Sequence, residues 1–198
     1  MNYFSDVADT KVSSGSSSVK RKYTNQIPGN FLIRVDRCKL IKKDEGMGLP
    51  AVVMEGQIVQ HENSDLVGIH IQEMADRGKE QKKFFNEIAK RLAAIDLMLQ
   101  GTTEEYNPNA DLDGDVWNDA IGRVFGGHDE KGKADGDHTS SIKGVIIRYA
   151  NNEMKDKDTG EVIEGRHWAN QLGPVTPDQL VEELDPKEVE GIHPAYLG

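Results

Sequence analysis

The stretch from Phe31 to Ile41, FLIRVDRCKLI, constrains the fold most, because its side-chain pattern is not that of one flat strand. Its apolar residues stand at odd positions in the first half and at even positions in the second, namely Phe31, Ile33 and Val35, then Cys38 and Leu40. Side chains of a strand alternate between two faces, so the buried face changes near Asp36 and Arg37. A change of phase predicts a bulge or a sharp bend. We therefore expect one long bent strand that serves two parts of a curled sheet.

Length and composition indicate what class of protein this chain belongs to. With 198 residues, of which 36% are hydrophobic, the chain can bury one core. No run approaches the roughly 18 to 20 apolar residues of a membrane span, and Met1 to Lys22 lacks the apolar block of a secretory signal. We therefore expect a cytoplasmic protein without a membrane partner. Cys38 is the only cysteine, which excludes an internal disulfide and favours a small core residue over a reactive thiol.

Charge is distributed unevenly along the chain. The net charge of -10 argues against a nucleic-acid partner when taken alone. However, residues 34–43 hold five basic side chains and one acidic, whereas residues 178–190 hold six acidic and one basic. A basic body with an acidic C-terminal segment differs from a uniformly acidic protein. The basic residues beside the predicted bend therefore indicate a nucleic-acid binder.

The order of the predicted elements indicates a barrel. Period-two patterns predict five strands at residues 31–41, 51–60, 66–74, 142–150 and 162–172. Gly56 interrupts the second strand and indicates a bend or a close backbone approach. A period near 3.6 predicts helices at residues 79–100 and 109–125, and KDKDTG at residues 155–160 predicts a hairpin turn. The fold class expected is mainly β with helices, a five-stranded oligonucleotide-binding (OB) barrel in the order β-β-β-α-β-β with a helical insertion between strands three and four.

Three parts of the chain follow from this assignment. Residues 1–26 are rich in serine and are expected to form a flexible N-terminal arm. Residues 27–173 form the OB-fold domain, with the insertion at 102–139. Residues 174–198 form an acidic C-terminal tail, which is either a solubilising tail or a segment that recruits partners and competes with nucleic acid.

In an OB fold, the basic side of the first strand and two loops would border one groove, where cations contact phosphates and aromatic faces stack on bases. The predicted nucleic-acid contacts share a basic or aromatic side chain near that groove, and they are Arg34, Arg37, Lys39, Lys42, Lys43, His70, Arg148, Tyr149, Arg166 and Trp168. The prediction rests on their clustering, because Tyr149 and Trp168 taken singly are more typical of core or barrel-rim residues.

An acidic run before the second helix resembles a calcium loop. Asn109, Asp111, Asp113 and Asp115 have the right spacing, but Ala120 stands where the bidentate glutamate belongs. We prefer acidic residues at a helix N-terminus, where the helix dipole favours them. The chain has no HExxH, phosphate-loop or GxSxG motif. We therefore predict no catalytic residues, no metal ligands and no cofactor.

Several segments together resemble the OB-fold single-stranded DNA-binding proteins of tailed bacteriophages. These segments are PGNFLIRVDRCKLI, AVVMEGQIVQ, VGIHIQEM, KKFFNEIAKRLAAI, GVIIRYANN and RHW, between Pro28 and Gly173. The resemblance implies a protein that protects single-stranded DNA during replication and recombination in the host cytoplasm. It also implies replication or recombination proteins as partners of the acidic tail, with oligomers possible. The insertion and the terminal Tyr196-Leu197-Gly198 depart from the family pattern.

Two other functions compete with this interpretation. The first is an OB-like protein-interaction or virion-associated module that does not bind nucleic acid. The second is a metal-dependent nuclease that uses Asp111, Asp113 and Asp115. DNA titration discriminates the first, and loss of nuclease activity on changing the three aspartates would support the second.

Overall fold

The computed structural model describes residues 22–41, 51–76, 82–126, 138–168 and 170–198. In chain order its strands and helices are β1 (Lys22–Tyr23), β2 (Gly29–Ile41), β3 (Ala51–His61), β4 (His70–Asp76), α1 (Lys82–Leu99), α2 (Gly114–Phe125), β5 (Ile146–Lys155), β6 (Val162–Trp168), β7 (Gln171–Pro174) and α3 (Pro177–Glu183). The fold is mainly β with three helices in the described ranges, and the sequence predicts the β-rich class.

The strands form one curled, mixed sheet that makes a half-barrel. Their order is β1-β4-β3-β2-β5-β6, and β7 pairs with β5. Every pair is antiparallel except β1 with β4. The described sheet has seven strands instead of the predicted five. Short β1 was missed, and the predicted strand 162–172 is divided into β6 and β7.

The predicted bend in the first long strand is confirmed. Val35 on β2 faces Gly56 on β3, yet Arg37 faces Glu55, so Asp36 is an extra residue in β2. This is a β-bulge, which bends the strand and changes its buried face. Before the bulge, β2 lies between β3 and β5, and the β2–β5 register runs from Gly29 to Arg34. One strand thus serves two parts of the curled sheet.

The main core lies on the concave side of the sheet under α1. Ile33 and Val35 before the bulge and Cys38 after it belong to one buried cluster, which α1 completes with Ile88, Leu92 and Ile95. Cys38 is therefore a small core residue, and burial raises the pKa of its thiol to about 12. A thiol with that pKa stays protonated near neutral pH and is not a good nucleophile.

Helix α2 belongs to the predicted insertion and begins at Gly114, five residues later than expected. The Asp113 carboxylate accepts a hydrogen bond of 2.8 Å from the Asp115 backbone N–H, so Asp113 is the N-cap. A side-chain cap of this kind marks where the helix begins. The preferred interpretation of this acidic run, as residues at a helix N-terminus, is therefore confirmed.

Residues 174–198, called the C-terminal segment below, lie folded against the convex side of the sheet. A second buried cluster joins them to β2 and β5 and contains Leu32, Ile146, Val175, Leu180, Val189 and Tyr196. The Tyr196 hydroxyl accepts from the Ile146 N–H at 3.1 Å and donates to the Val175 carbonyl at 2.8 Å. The predicted acidic tail is thus a packed part of the domain.

Candidate nucleic-acid interface

The convex face of β2, β3 and β4 carries the polar residues that could meet a ligand. The strand register places Arg37, Glu55, Gln72 and Tyr23 in one row across β2, β3, β4 and β1. Residues that face each other across neighbouring strands share a face of the sheet. We call this row the polar row. It connects the bulge on β2 to the β1 edge of the sheet.

Next to this row, Arg34 and His70 surround the carboxylate of Asp36. The Arg34 guanidinium donates to Asp36 Oδ1 at 2.7 and 3.0 Å. His70 Nδ1 lies 3.7 Å from Asp36 Oδ2. Arg34 also donates to the backbone carbonyl oxygen of Glu190 in the C-terminal segment. Arg34 is therefore held in the folded structure, whereas the His70 side chain is 41% exposed.

Two other predicted contacts lie beyond the bulge. Lys39 Nζ is 2.7 Å from Glu55 Oε1, so its charge is partly neutralised within the protein. Arg37 is exposed to solvent and stands opposite Glu55 in the strand register. Lys42 and Lys43 lie outside the described residues. Among the described residues of β2, Arg37 is the most accessible of the three predicted basic contacts.

Arg148 on β5 is bound by the C-terminal segment. Its guanidinium makes a two-pronged ion pair with Glu183, with Nη1 3.0 Å from Oε2 and Nη2 close to Oε1. Gln60 donates to the Glu183 backbone carbonyl oxygen at 3.1 Å. A bidentate pair fixes both side chains. Arg148 is thus engaged by Glu183 in this structure.

The prediction that Tyr149 stacks on a base is corrected by its position in the core. Its exposed fraction is 0%, and its ring stacks on Phe31 with the centroids 5.2 Å apart. Its hydroxyl donates to Glu73 Oε2 at 2.5 Å. Burial raises the pKa of the Glu73 carboxyl, and the hydrogen bond from Tyr149 opposes that shift. A ring that is fully enclosed cannot meet a base.

Arg166 and Trp168 both reach solvent on β6. The exposed fraction of Trp168 is 58%, and Arg166 is also exposed. The hairpin before them has the predicted turn, since the Asp156 carboxylate accepts from the backbone N–H groups of Asp158 and Thr159. These hydrogen bonds hold the pKa of Asp156 below its usual value.

A cleft of about 550 Å³ separates β4 from β6. Its lining includes Tyr23, Phe84, Gln72 and Arg166. The exposed fraction is 43% for Tyr23 and 40% for Phe84. Sequence reasoning missed both rings, because Tyr23 falls in the predicted arm and Phe84 in the apolar pattern of α1. The available signal was a lysine directly before each aromatic residue, Lys22 and Lys83.

Neither a metal-binding cluster nor a membrane-spanning helix occurs in the described part of the chain. The described residues contain no group of three or more His, Cys, Asp or Glu side chains placed to hold a metal ion. No helix among them combines the length and apolar character that crossing a membrane requires. The calcium-loop resemblance therefore has no supporting ligand cluster in these ranges.

Comparison with known proteins adds no family to these observations. No protein-family model matches the chain, and a search of curated proteins finds no match either. The resemblance to bacteriophage single-stranded DNA-binding proteins stays a prediction. The class established by the structure is a β-rich half-barrel with three helices in its described ranges.

Proposed function

We propose that the protein binds single-stranded DNA through the convex face of its curled sheet. The observation that carries this proposal is the polar row, which leads from exposed Arg37 through Gln72 to exposed Tyr23. The strands that carry Glu55 and Gln72 are the second and third long strands, and OB folds bind oligonucleotides on that pair. The sequential order β2, β3, β4, α1, β5 and β6, with α2 inserted between α1 and β5, also supports an OB-like fold.

The mechanism combines phosphate contacts with base stacking. Arg37 and Arg166 are exposed cations that can lie beside phosphates, and Trp168 offers an accessible ring face. Stacking of a base on an aromatic side chain contributes about 1 to 3 kcal/mol, and phosphate contacts make binding fall with salt. Because Arg34, Lys39 and Arg148 are already paired with protein groups, fewer cations meet phosphate than the sequence suggests. We expect binding with little sequence preference.

The biological role proposed is protection of single-stranded DNA during phage replication and recombination, in the cytoplasm of the infected cell. Replication or recombination enzymes would be its partners, and an oligomer would be compatible with that role. The protein would act without catalysis and without a cofactor. These points rest on the resemblance in sequence.

Titration of fluorescent oligo(dT) at low salt tests the proposal. We expect binding at micromolar protein or below, weaker binding to duplex of the same length, and a linear fall of log affinity with log salt. Absence of binding at micromolar protein, or equal affinity for duplex, would refute it.

A protein-interaction module is the second candidate. It is favoured by a cleft of about 410 Å³ on the C-terminal segment, lined by exposed Val181 and Leu197 next to Asp185. The lining also holds Lys187, and accessible apolar side chains rimmed by charged groups are typical of a protein-binding surface. Salt-insensitive co-purification with one phage or host protein, without any DNA binding, would favour this function.

A further inference from the structure

The cleft between β4 and β6 lies beside β1, which within the described residues pairs with β4 only at Ile71 and Gln72. Beyond that point Glu73 and Met74 of β4 face Glu164, Gly165 and Arg166 of β6 across the cleft. The strand β6 is irregular here, since its register with β5 shifts between Glu153 and Lys155. The irregular stretch supplies one wall of the cleft, and β4 with Tyr23 and Phe84 supplies the opposite wall.

The two aromatic rings of this cleft are accessible to a flat ligand. Tyr23 comes from β1 and Phe84 from the first turn of α1, so two different elements bring them to one cleft. A volume of about 550 Å³ lies within the range of roughly 300 to 1,000 Å³ that is usual for ligand sites. Aromatic rings at such a place serve as stacking platforms for nucleobases.

Polar groups beside the rings suit the edges of a base. Asn25 and Gln72 provide amide donors and acceptors in the lining, Gln26 provides an amide donor because its Oε1 already accepts from the Tyr23 N–H, and Glu164 provides a carboxylate acceptor. Unstacked bases of single strands are recognised by such hydrogen bonds to their edges. The cleft thus combines stacking surfaces with hydrogen-bonding groups.

The charged residues in the lining of the cleft determine which part of a nucleotide can enter it. Among the described residues that line the cleft, Arg166 is the one basic residue, and Glu73 and Glu164 are the acidic ones. Glu73 is buried and accepts a hydrogen bond from the Tyr149 hydroxyl, so Arg166 and Glu164 are the exposed charges of the described lining. Lys83 directly precedes Phe84, and its highly exposed side chain lies 3.7 Å from Glu87 Oε1, a surface pair that a phosphate can displace. A phosphate therefore fits at the rim, and a neutral base fits inside.

We propose that this cleft receives one or two nucleobases of a bound DNA single strand, stacked on Tyr23 and Phe84, with the adjoining phosphates at Arg166 and Lys83. The inference rests on the proposed single-stranded DNA binding and names a base site within it. The DNA strand would pass from the polar row over the β1 edge of the sheet, because Gln72 and Tyr23 belong to both surfaces.

Oligo(dT) titration of Tyr23→Leu and Phe84→Leu tests the site, because leucine keeps apolar bulk and removes the ring face. We expect each variant to bind at least about fivefold more weakly than wild type. Leu172→Ala is the matched control, since Leu172 is also exposed but lies on β7 outside the cleft lining, and it should bind as wild type does. Thermal unfolding of all variants checks that they are folded.

The outcomes separate the two proposals. If wild type binds oligo(dT) and both leucine variants bind within twofold of it, the base site is refuted while DNA binding stands. If wild type does not bind, DNA binding itself fails and the site fails with it. Cross-linking of wild type to an oligonucleotide containing 5-iododeoxyuridine gives an independent readout. Adducts mapped to Tyr23 or Phe84 support the site, and adducts confined to other residues overturn it. Because this experiment uses the wild-type protein, it tests the site even if a leucine variant does not fold.

Discussion

Gly56 on β3 lies so close to Arg34 on β2 that a β-carbon added at Gly56 would be 2.6 Å from the Arg34 carbonyl oxygen. The two strands meet here immediately beside the Asp36 bulge, since Gly56 pairs with Val35. A contact of 2.6 Å with backbone cannot be relieved by rotating a side chain. The glycine therefore permits the tight curl of the sheet at this place.

Gly56→Ala should lower the free energy of unfolding by about 1 to 3 kcal/mol, because overpacking forces the backbone to shift. Urea denaturation measures the change. Gly122→Ala in α2 is the control, since a β-carbon there meets nothing within 4 Å and alanine favours helix. Equal stability of Gly56→Ala and wild type would contradict the close approach.

Local pattern predicted the bend, because the change of phase around Asp36 depends only on neighbouring residues. The same reasoning missed the burial of Leu32, which packs on the distant C-terminal segment. It also missed β1, because two residues pair with β4 only when the rest of the sheet is in place. A two-residue strand is too short to show a period, and Leu32 lies on the face that the period-two pattern assigns to solvent.

In the candidate site, too, the sequence predicted some features and missed others. Basic residues were identified by their clustering, but the carboxylates of Glu55 and Glu183 partly neutralise the charges of Lys39 and Arg148. Tyr149 was recognised as a residue type common in cores, but its partner Glu73 could not be inferred from position in the chain. Composition indicates which groups are present, and only the fold determines which of them reach solvent.

The ion pair between Asp96 on α1 and Arg123 on α2 yields a stability prediction. Asp96 is 0% exposed, and Arg123 Nη2 and Nε lie 2.8 and 3.0 Å from its Oδ2. Arg123→Leu should cost about 3 kcal/mol, because it leaves a buried carboxylate without its partner. Adding Asp96→Leu to Arg123→Leu should recover part of that loss. Additive effects of the two changes in chemical denaturation would contradict the coupling.

The buried carboxyl of Glu73 yields a prediction for pH. Its pKa in the folded protein is raised above 4.5 by burial, so the folded state binds more protons than the unfolded state above that pH. The free energy of unfolding should therefore fall as pH rises from about 4.5 through the raised pKa. Glu73→Gln should remove this part of the fall, as measured by urea denaturation at several pH values.

Tyr149→Phe provides the control for that prediction. The Tyr149 hydroxyl stabilises the Glu73 carboxylate, so its removal should raise the pKa of Glu73 further and extend the fall in stability to higher pH. If Glu73→Gln has the same pH profile as wild type, Glu73 does not change protonation on unfolding.

The hydrogen bonds of Tyr196 allow a test of how much the packing of the C-terminal segment contributes to the free energy of unfolding. Tyr196→Phe removes the hydroxyl that bonds Ile146 and Val175, and it leaves a buried N–H without that partner. We expect a loss of about 1 to 3 kcal/mol in the free energy of unfolding. Leu197→Ala, at the exposed neighbouring position, should change it by less than about 0.5 kcal/mol. An unfolding curve for Tyr196→Phe that matches wild type would mean that the segment contributes little.

Arg37 and Arg148 form a matched pair for testing which cations meet phosphate. Arg37 is exposed, whereas Arg148 is bound to Glu183, so Arg37→Gln should weaken oligo(dT) binding more than Arg148→Gln does. Arg37→Gln should also reduce the slope of log affinity against log salt by about 1, because one phosphate contact is lost. Titrations over a series of salt concentrations measure both effects. A larger loss for Arg148→Gln would mean that DNA displaces Glu183 and that the C-terminal segment competes for the same cations.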